Sequence, residues 1–277
     1  MADFGTTLRA AMEANGPLCV GIDPHPGLLA AWGLEDNAES VLRFSLRVIE
    51  AMDGVAAIVK PQVALYERFG SAGFAALEQT LAAARAQGLL TLADAKRGDI
   101  GSTMAAYASA WLDDSSPLAA DAVTLSPYLG YESLRPAIDL AARTGRGVFI
   151  LGLTSNPEGP SVQHVGGAAS VAKTVIDAVA RENAGAGDLG HVGLVIGATV
   201  GDAPAKLGID LAATKAPLLT PGLGAQGATA RDLADSFAGS FGQVLATSSR
   251  DILQAGPDRP TLRARAEAVR AELIAAG

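Results

Sequence analysis

Residues 89–103 read LLTLADAKRGDIGST: an apolar run that ends at Asp94, with Lys96, Asp99 and Thr103 following at short intervals and glycines at 98 and 101. An apolar run of strand length that stops at charge and glycine before a helix-like segment is the pattern of one strand–turn–helix unit in a parallel sheet. Seven further runs repeat it: PLCVGID (17–23), VAAIVK (55–60), DAVTLS (121–126), GVFILGL (147–153), VGLVIGA (192–198), APLLT (216–220) and QVLAT (243–247). Alanine-rich periodic segments at 37–52, 71–87, 131–143 and 166–183 lie between them, and the chain ends in TLRARAEAVRAELIAAG, a helix with charges on one face. Eight units of this kind predict an α/β protein, a single (β/α)8 TIM barrel domain over 1–277, with an extra N-terminal helix in MADFGTTLRAAMEANG. An open doubly wound sheet is the competing arrangement.

The composition agrees with a folded chain: of 277 residues, 49% are hydrophobic and 18% charged, enough apolar side chains for a full core. The net charge of -8 and the absence of any Lys/Arg run argue against nucleic-acid binding, so an anionic ligand requires a local basic focus. No stretch approaches a membrane span, and the N-terminal segment lacks the continuous apolar core of a signal peptide. Cys19 is the only cysteine and sits in an apolar run, which reads as a buried thiol in a reducing compartment; a cytoplasmic location is expected.

In a barrel, functional side chains gather where strands end. Those positions hold Asp23, Lys60, Asp94 with Lys96, Ser126, Thr154 with Ser155, a glycine-rich turn at 221–227, and Arg250. Asp94 and Lys96 are two apart, so a strand continuing through 96 turns both toward the barrel mouth. Lys60 ends the neighbouring strand, and with Asp99 in the turn it completes an array of two cations and two anions. Lysines flanked by carboxylates stay protonated, which makes Lys96 a proton donor rather than a Schiff-base amine. A purely structural ion-pair network at the rim is the alternative.

LLTPGLGAQGAT places Gly222, Gly224 and Gly227 in G-x-G-x-x-G spacing, which lets backbone N–H groups approach a phosphate. A dinucleotide fold needs this motif in its first turn and an acid about 20 residues on. Here it follows the seventh run, and the eighth leads into Arg250, the context of a barrel phosphate site with Arg250 as a clamp. The polar loop 154–167 is long enough to act as a lid. GAASVAKT (167–174) lacks the second glycine of a P-loop and reads as a helix start. His25, His164 and His191 have no paired spacing, so no metal site is expected, and no G-x-S-x-G nucleophile elbow is present.

LADAKRGDIGST resembles the D-x-K-x-x-D-[IV]-x-x-T signature of the orotidine 5′-phosphate decarboxylase family. The likeness continues, in the family's order, through Asp23 in VGIDPHP, Lys60 in IVKPQVALYE, TSNPEG, TPGLGAQG and Arg250; the length and wording look like the longer bacterial branch of actinobacteria and their relatives. What the resemblance implies is cofactor-independent decarboxylation of orotidine 5′-monophosphate to UMP. Lys60, Asp94, Lys96 and Asp99 would form the catalytic array. The enzyme would be a homodimer in which Asp99 and Thr103 enter the partner's site. Asp23 would hold the ribose, Ser155 the pyrimidine with Thr154 able to share that role, and Gln226 with Arg250 the phosphate.

Two other readings use the same residues. One is a related barrel acting on sugar phosphates through a magnesium-stabilised enediolate, which needs a further acidic ligand from the early strands; VAAIVKPQ offers none before Lys60, while Asp23 and Asp94 leave the option open. The other is a non-catalytic nucleotide sensor, which has no need for the whole charged array.

Overall fold

A computed structural model describes residues 3–224 and 227–277. The strands are Leu18–Ile22 (β1), Ile58–Pro61 (β2), Leu90–Arg97 (β3), Ala122–Leu125 (β4), Gly147–Leu153 (β5), Val192–Ile196 (β6), Leu218–Pro221 (β7) and Val244–Ser248 (β8). Each pairs in parallel with its sequence neighbours, and β8 pairs with β1, closing the barrel in the order β1 to β8. The TIM barrel expected from the eight apolar runs is therefore the fold, and an open sheet is excluded.

Helices form where the periodic segments lie. Asn37 caps Ala38–Met52 by accepting from the Ser40 N–H, and Ser170 caps Val171–Glu182 by accepting from the Lys173 N–H. The segment 167–174 is accordingly a short 3-10 turn running into an ordinary capped helix, with Lys173 paired to Asp177 at 3.0 Å. The segment at 131–143 begins as the 3-10 turn Tyr131–Leu134 and continues as Arg135–Thr144. These helices press their apolar faces on the outside of the strands, where residues such as Val20, Val59, Val123 and Ile150 meet Phe44, Leu77 and Ile138.

The barrel interior is layered, because every second side chain of a strand points inward. Its lower part is apolar: Cys19, Ile58, Leu92, Ala122, Phe149, Leu219 and Leu245 pack together. The N-terminal helix Phe4–Asn15 adds Phe4, Leu8 and Met12 to this cluster, with the Phe4 ring edge-on to Phe149 at 6.0 Å. Two residues further along β2, β3, β4 and β8, the inward positions become Lys60, Asp94, Thr124 and Thr247, all buried. One period of the strand thus separates the packed core from the chemistry.

Candidate active site

A cavity of about 640 Å³ opens at the carboxyl end of the strands. Asp23, Lys60, Gln62, Asp94, Lys96, Ser155 and Arg250 all line it, supplied by the ends or following turns of β1, β2, β3, β5 and β8. Residues more than two hundred positions apart in sequence therefore share one wall.

Asp94 is the hub. Its Oδ2 accepts from Lys60 Nζ and from Gln62 Nε2, each at 3.0 Å, while its Oδ1 accepts from Lys96 Nζ at 2.6 Å and from the Thr124 hydroxyl at 2.9 Å. Burial by itself favours the neutral acid, but the two ammonium groups outweigh it and hold the Asp94 carboxyl below the usual carboxylate range. Burial likewise opposes the charge of Lys60; Asp94 and then Asp23 overcome this and hold its ammonium above the ordinary lysine value. Cys19 lies in the layer beneath, and its burial pushes the thiol up to about 12, so it stays an unreactive core group.

Lys96 differs from Lys60 in exposure: its side chain is 46% exposed, against 5% for Lys60. Lys60 is sealed into the wall, whereas Lys96 presents an ammonium to the cavity. The strand does run through residue 96, as the two-residue spacing requires, but it is not regular there. Ala93 pairs with Val123 and Arg97 with Leu125, so the three residues Asp94–Ala95–Lys96 stand opposite the single residue Thr124. Lys96 adopts the left-handed backbone, with φ of 47°, at this bulge. Gln62 and Thr124 are not among the residues singled out from sequence. Gln62 was findable, since it stands two after Lys60 and shares its face; Thr124 was hidden inside an apolar run.

Asp99 does not join the array of its own chain. Its Oδ1 accepts from the Ile100 N–H at 2.7 Å, ahead of the helix Gly101–Leu112, on whose exposed first turn Thr103 sits. Arg97 anchors this turn: it pairs with Glu67 and lies over the rings of Tyr107 and Trp111 at 5.7 and 5.8 Å. Of the four charges expected together, three line the cavity and the fourth does not.

On the opposite wall, Thr154 is held within its own loop. Gln163 accepts from the Thr154 N–H at 2.9 Å and donates to its hydroxyl at 2.7 Å, and that hydroxyl contacts Asn156 at 2.6 Å. The neighbouring Ser155 lines the cavity. Its backbone passes so near Gly197 that a Cβ there would come within 2.9 Å of the Ser155 N and Cβ atoms. Beside Arg250, a Cβ on Gly21 would come within 1.8 Å of the Ser249 hydroxyl, so glycine lets β1 pass under the turn that presents the arginine.

Arg250 is exposed to the cavity and forms no ion pair with a described residue. Asp23 is half-buried and its Oδ1 has no hydrogen-bond partner among the described residues. Gln226, expected beside Arg250, lies outside the described residues. His25 borders the cavity, while His164 and His191 do not. Among the described residues no group of three His, Cys, Asp or Glu side chains comes together as a metal would require. Asp94, with both oxygens already taken by ammonium and neutral donors, is poorly suited to become a ligand.

A closed barrel with a buried carboxylate between two lysines at the carboxyl end of its strands has the architecture of a (β/α)8 enzyme. The model of the orotidine 5′-phosphate decarboxylase / HUMPS family matches residues 16–265, and the chain belongs to that family. It is 55% identical to the orotidine 5′-phosphate decarboxylase of Salinispora arenicola over 100% of this chain and 99% of the relative. The corresponding enzyme of Streptomyces coelicolor is 52% identical, covering 99% of this chain and 98% of its own. A crystal structure from Streptomyces avermitilis, provisionally assigned as an orotidine 5′-phosphate decarboxylase, superposes with a TM-score of 0.95 at 52% identity, covering 100% of this chain and 96% of that one.

Proposed function

We propose that this protein decarboxylates orotidine 5′-monophosphate to UMP, the last step of de novo pyrimidine synthesis, and that Lys96 stabilises and protonates the carbon that loses CO2. The full-length relatives at 50–55% identity support the reaction. The observation that carries the assignment of roles is the Lys96 ammonium, fixed 2.6 Å from Asp94 yet open to the cavity.

The chemistry explains why such an array is needed. When the C6–CO2 bond breaks, its electron pair stays in an orbital in the plane of the pyrimidine ring, where the ring π-system cannot delocalise it. A fixed cation beside C6 lowers the energy of that charge as it develops. Lys96 Nζ–H then delivers its proton to C6, forming the C–H bond of UMP, and the neutral amine is reprotonated from solvent. Asp94 crowds the departing carboxylate, a smaller contribution than the cation's. Lys60 keeps Asp94 ionised, and Asp94 in turn aims Lys96. Arg250 and Gln226 hold the phosphate, Asp23 the ribose and Ser155 the pyrimidine. Binding energy from these remote groups is used to close the 154–167 loop over the reacting carbon and exclude water.

The working unit is a homodimer of cytoplasmic, single-domain barrels, with Asp99 and Thr103 completing the partner's site. The loops after β3 and β4 leave the barrel side by side, joined by the Ser126 N–H to the Arg97 carbonyl at 2.8 Å. They expose Ile100 (61%), Tyr128 (82%) and Leu129 (55%), an apolar margin beside Asp99 and Thr103 that supports a covering second copy.

The experiment is to follow the ultraviolet change of orotidine 5′-monophosphate with purified protein in excess EDTA. Rapid turnover is expected, and it separates this reaction from the magnesium-dependent sugar-phosphate branch. Failure in EDTA, with sugar-phosphate chemistry once Mg²⁺ is restored, would overturn it. Lys96→Ala should abolish turnover, and substantial residual decarboxylation would move the proton donor elsewhere.

A further inference from the structure

We propose that Thr124 is a positioning residue for this reaction: its one hydroxyl locks Lys96 and Asp94 in their mutual geometry. The proposal rests on the reading of Lys96 as the proton donor. Thr124 is 1% exposed and does not border the cavity, so it does not act on substrate directly.

The need for it comes from the bulge in β3. A residue facing a regular partner strand gives its N–H to a backbone carbonyl, but opposite Thr124 the β3–β4 ladder is interrupted for three residues. The Lys96 N–H, turned by its left-handed backbone, is instead accepted by the Thr124 side-chain oxygen at 2.9 Å. A hydroxyl has one donor and two acceptor positions, so the same oxygen can also donate. Its hydrogen goes to Asp94 Oδ1 at 2.9 Å, the carboxylate oxygen that receives the Lys96 ammonium at 2.6 Å.

A closed circuit results: Lys96 backbone to Thr124, Thr124 to Asp94, Asp94 to the Lys96 ammonium. It fixes both ends of the lysine, the backbone that carries it and the charge it delivers. The branched Cβ of threonine restricts the rotation of the hydroxyl about χ1, which serine does less strongly. Valine has nearly the same shape but neither bond, so it leaves the Lys96 N–H unpaired and removes one donor from Asp94.

Three variants test this: Thr124→Val, Thr124→Ser and, should valine prevent folding, Thr124→Ala, each compared with Lys96→Ala. Thr124→Val should lower kcat at least about tenfold, the scale of losing a hydrogen bond to a charged group. KM for orotidine 5′-monophosphate and Kd for UMP should stay within about threefold, because no substrate contact is removed. Thr124→Ser should restore most of kcat. A residue that merely supports the fold would instead alter Tm and UMP binding without this split, and wild-type kcat in a folded Thr124→Val or Thr124→Ala enzyme would overturn the proposal. The Lys96→Ala control separates the two failures: if it remains active, the reading of Lys96 is wrong whatever Thr124 does, whereas an inactive control beside an unimpaired Thr124→Val enzyme refutes only the positioning role.

Discussion

The Lys60 ammonium lies 3.0 Å from Asp94 Oδ2, with both side chains less than one-tenth exposed. Neither charge is stable there without the other, since taking an ion out of water costs several kcal/mol unless a partner and further hydrogen bonds replace the solvent. Replacing Asp94 by alanine strands Lys60 and also deprives Lys96, Gln62 and Thr124 of their shared acceptor. We expect Asp94→Ala to lower the unfolding free energy by about 3 kcal/mol and to eliminate activity, as measured by urea denaturation and by turnover. Wild-type stability in that variant would mean that the array is solvated rather than sealed.

The same pair sets a pH signature. Asp94 ionises at a lower pH in the folded protein than in the unfolded chain. Its contribution is therefore complete above the unfolded value of about 3.9 and is lost as pH falls through the folded one. Lys60 is shifted upward, so its contribution is complete below the unfolded value of about 10.4 and is lost as pH rises through the folded one. The stability difference between wild type and a Lys60→Met, Asp94→Leu double variant should thus be constant from about pH 5 to pH 9 and change only outside it. A difference that varies across neutral pH would show that these groups titrate elsewhere.

Much of this arrangement is legible in the chain because barrels encode it locally. Each strand announces itself as an apolar run, and the mouth is wherever that run gives way to charge, which locates Asp23, Lys60, Asp94 and Arg250 from sequence. Asp94 and Lys96 are brought together as their spacing suggests, yet through a bulge and a left-handed lysine, and neither has a sequence signal of its own. Thr124 is invisible for a related reason: a threonine within Ala-Val-Thr-Leu reads as an ordinary β-branched strand residue. Only the register against β3 reveals its role. Gly21 and Gly197 are similar, since the need for glycine comes from Ser249 and Ser155, far away in sequence.

Arg250 carries a charge that no described residue neutralises, at the start of a short helix on the cavity wall. Removing it should leave the core untouched, because Ile252 and Leu253, not Arg250, supply the buried contacts of that turn. Arg250→Ala is expected to retain the wild-type Tm while kcat/KM falls well beyond tenfold, the equivalent of about 1.4 kcal/mol. A smaller loss would place the phosphate elsewhere in the cavity.

The place of Asp99 outside the cavity lining of its own chain gives the sharpest test of a shared site. If Asp99 serves the partner, a Lys96→Ala subunit and an Asp99→Asn subunit are each inactive as homodimers, for different reasons. In a mixed dimer, one site receives both defects. The other keeps its own Lys96 and takes an intact Asp99 from the Lys96→Ala subunit, so it is whole. Random exchange makes half the dimers mixed, each with one intact site of two, and about a quarter of wild-type activity should return on mixing. If Asp99 instead acted within its own chain, every site in the mixture would carry one defect or the other. Mixing would then restore nothing, and the apolar margin formed by Ile100, Tyr128 and Leu129 would need a different explanation.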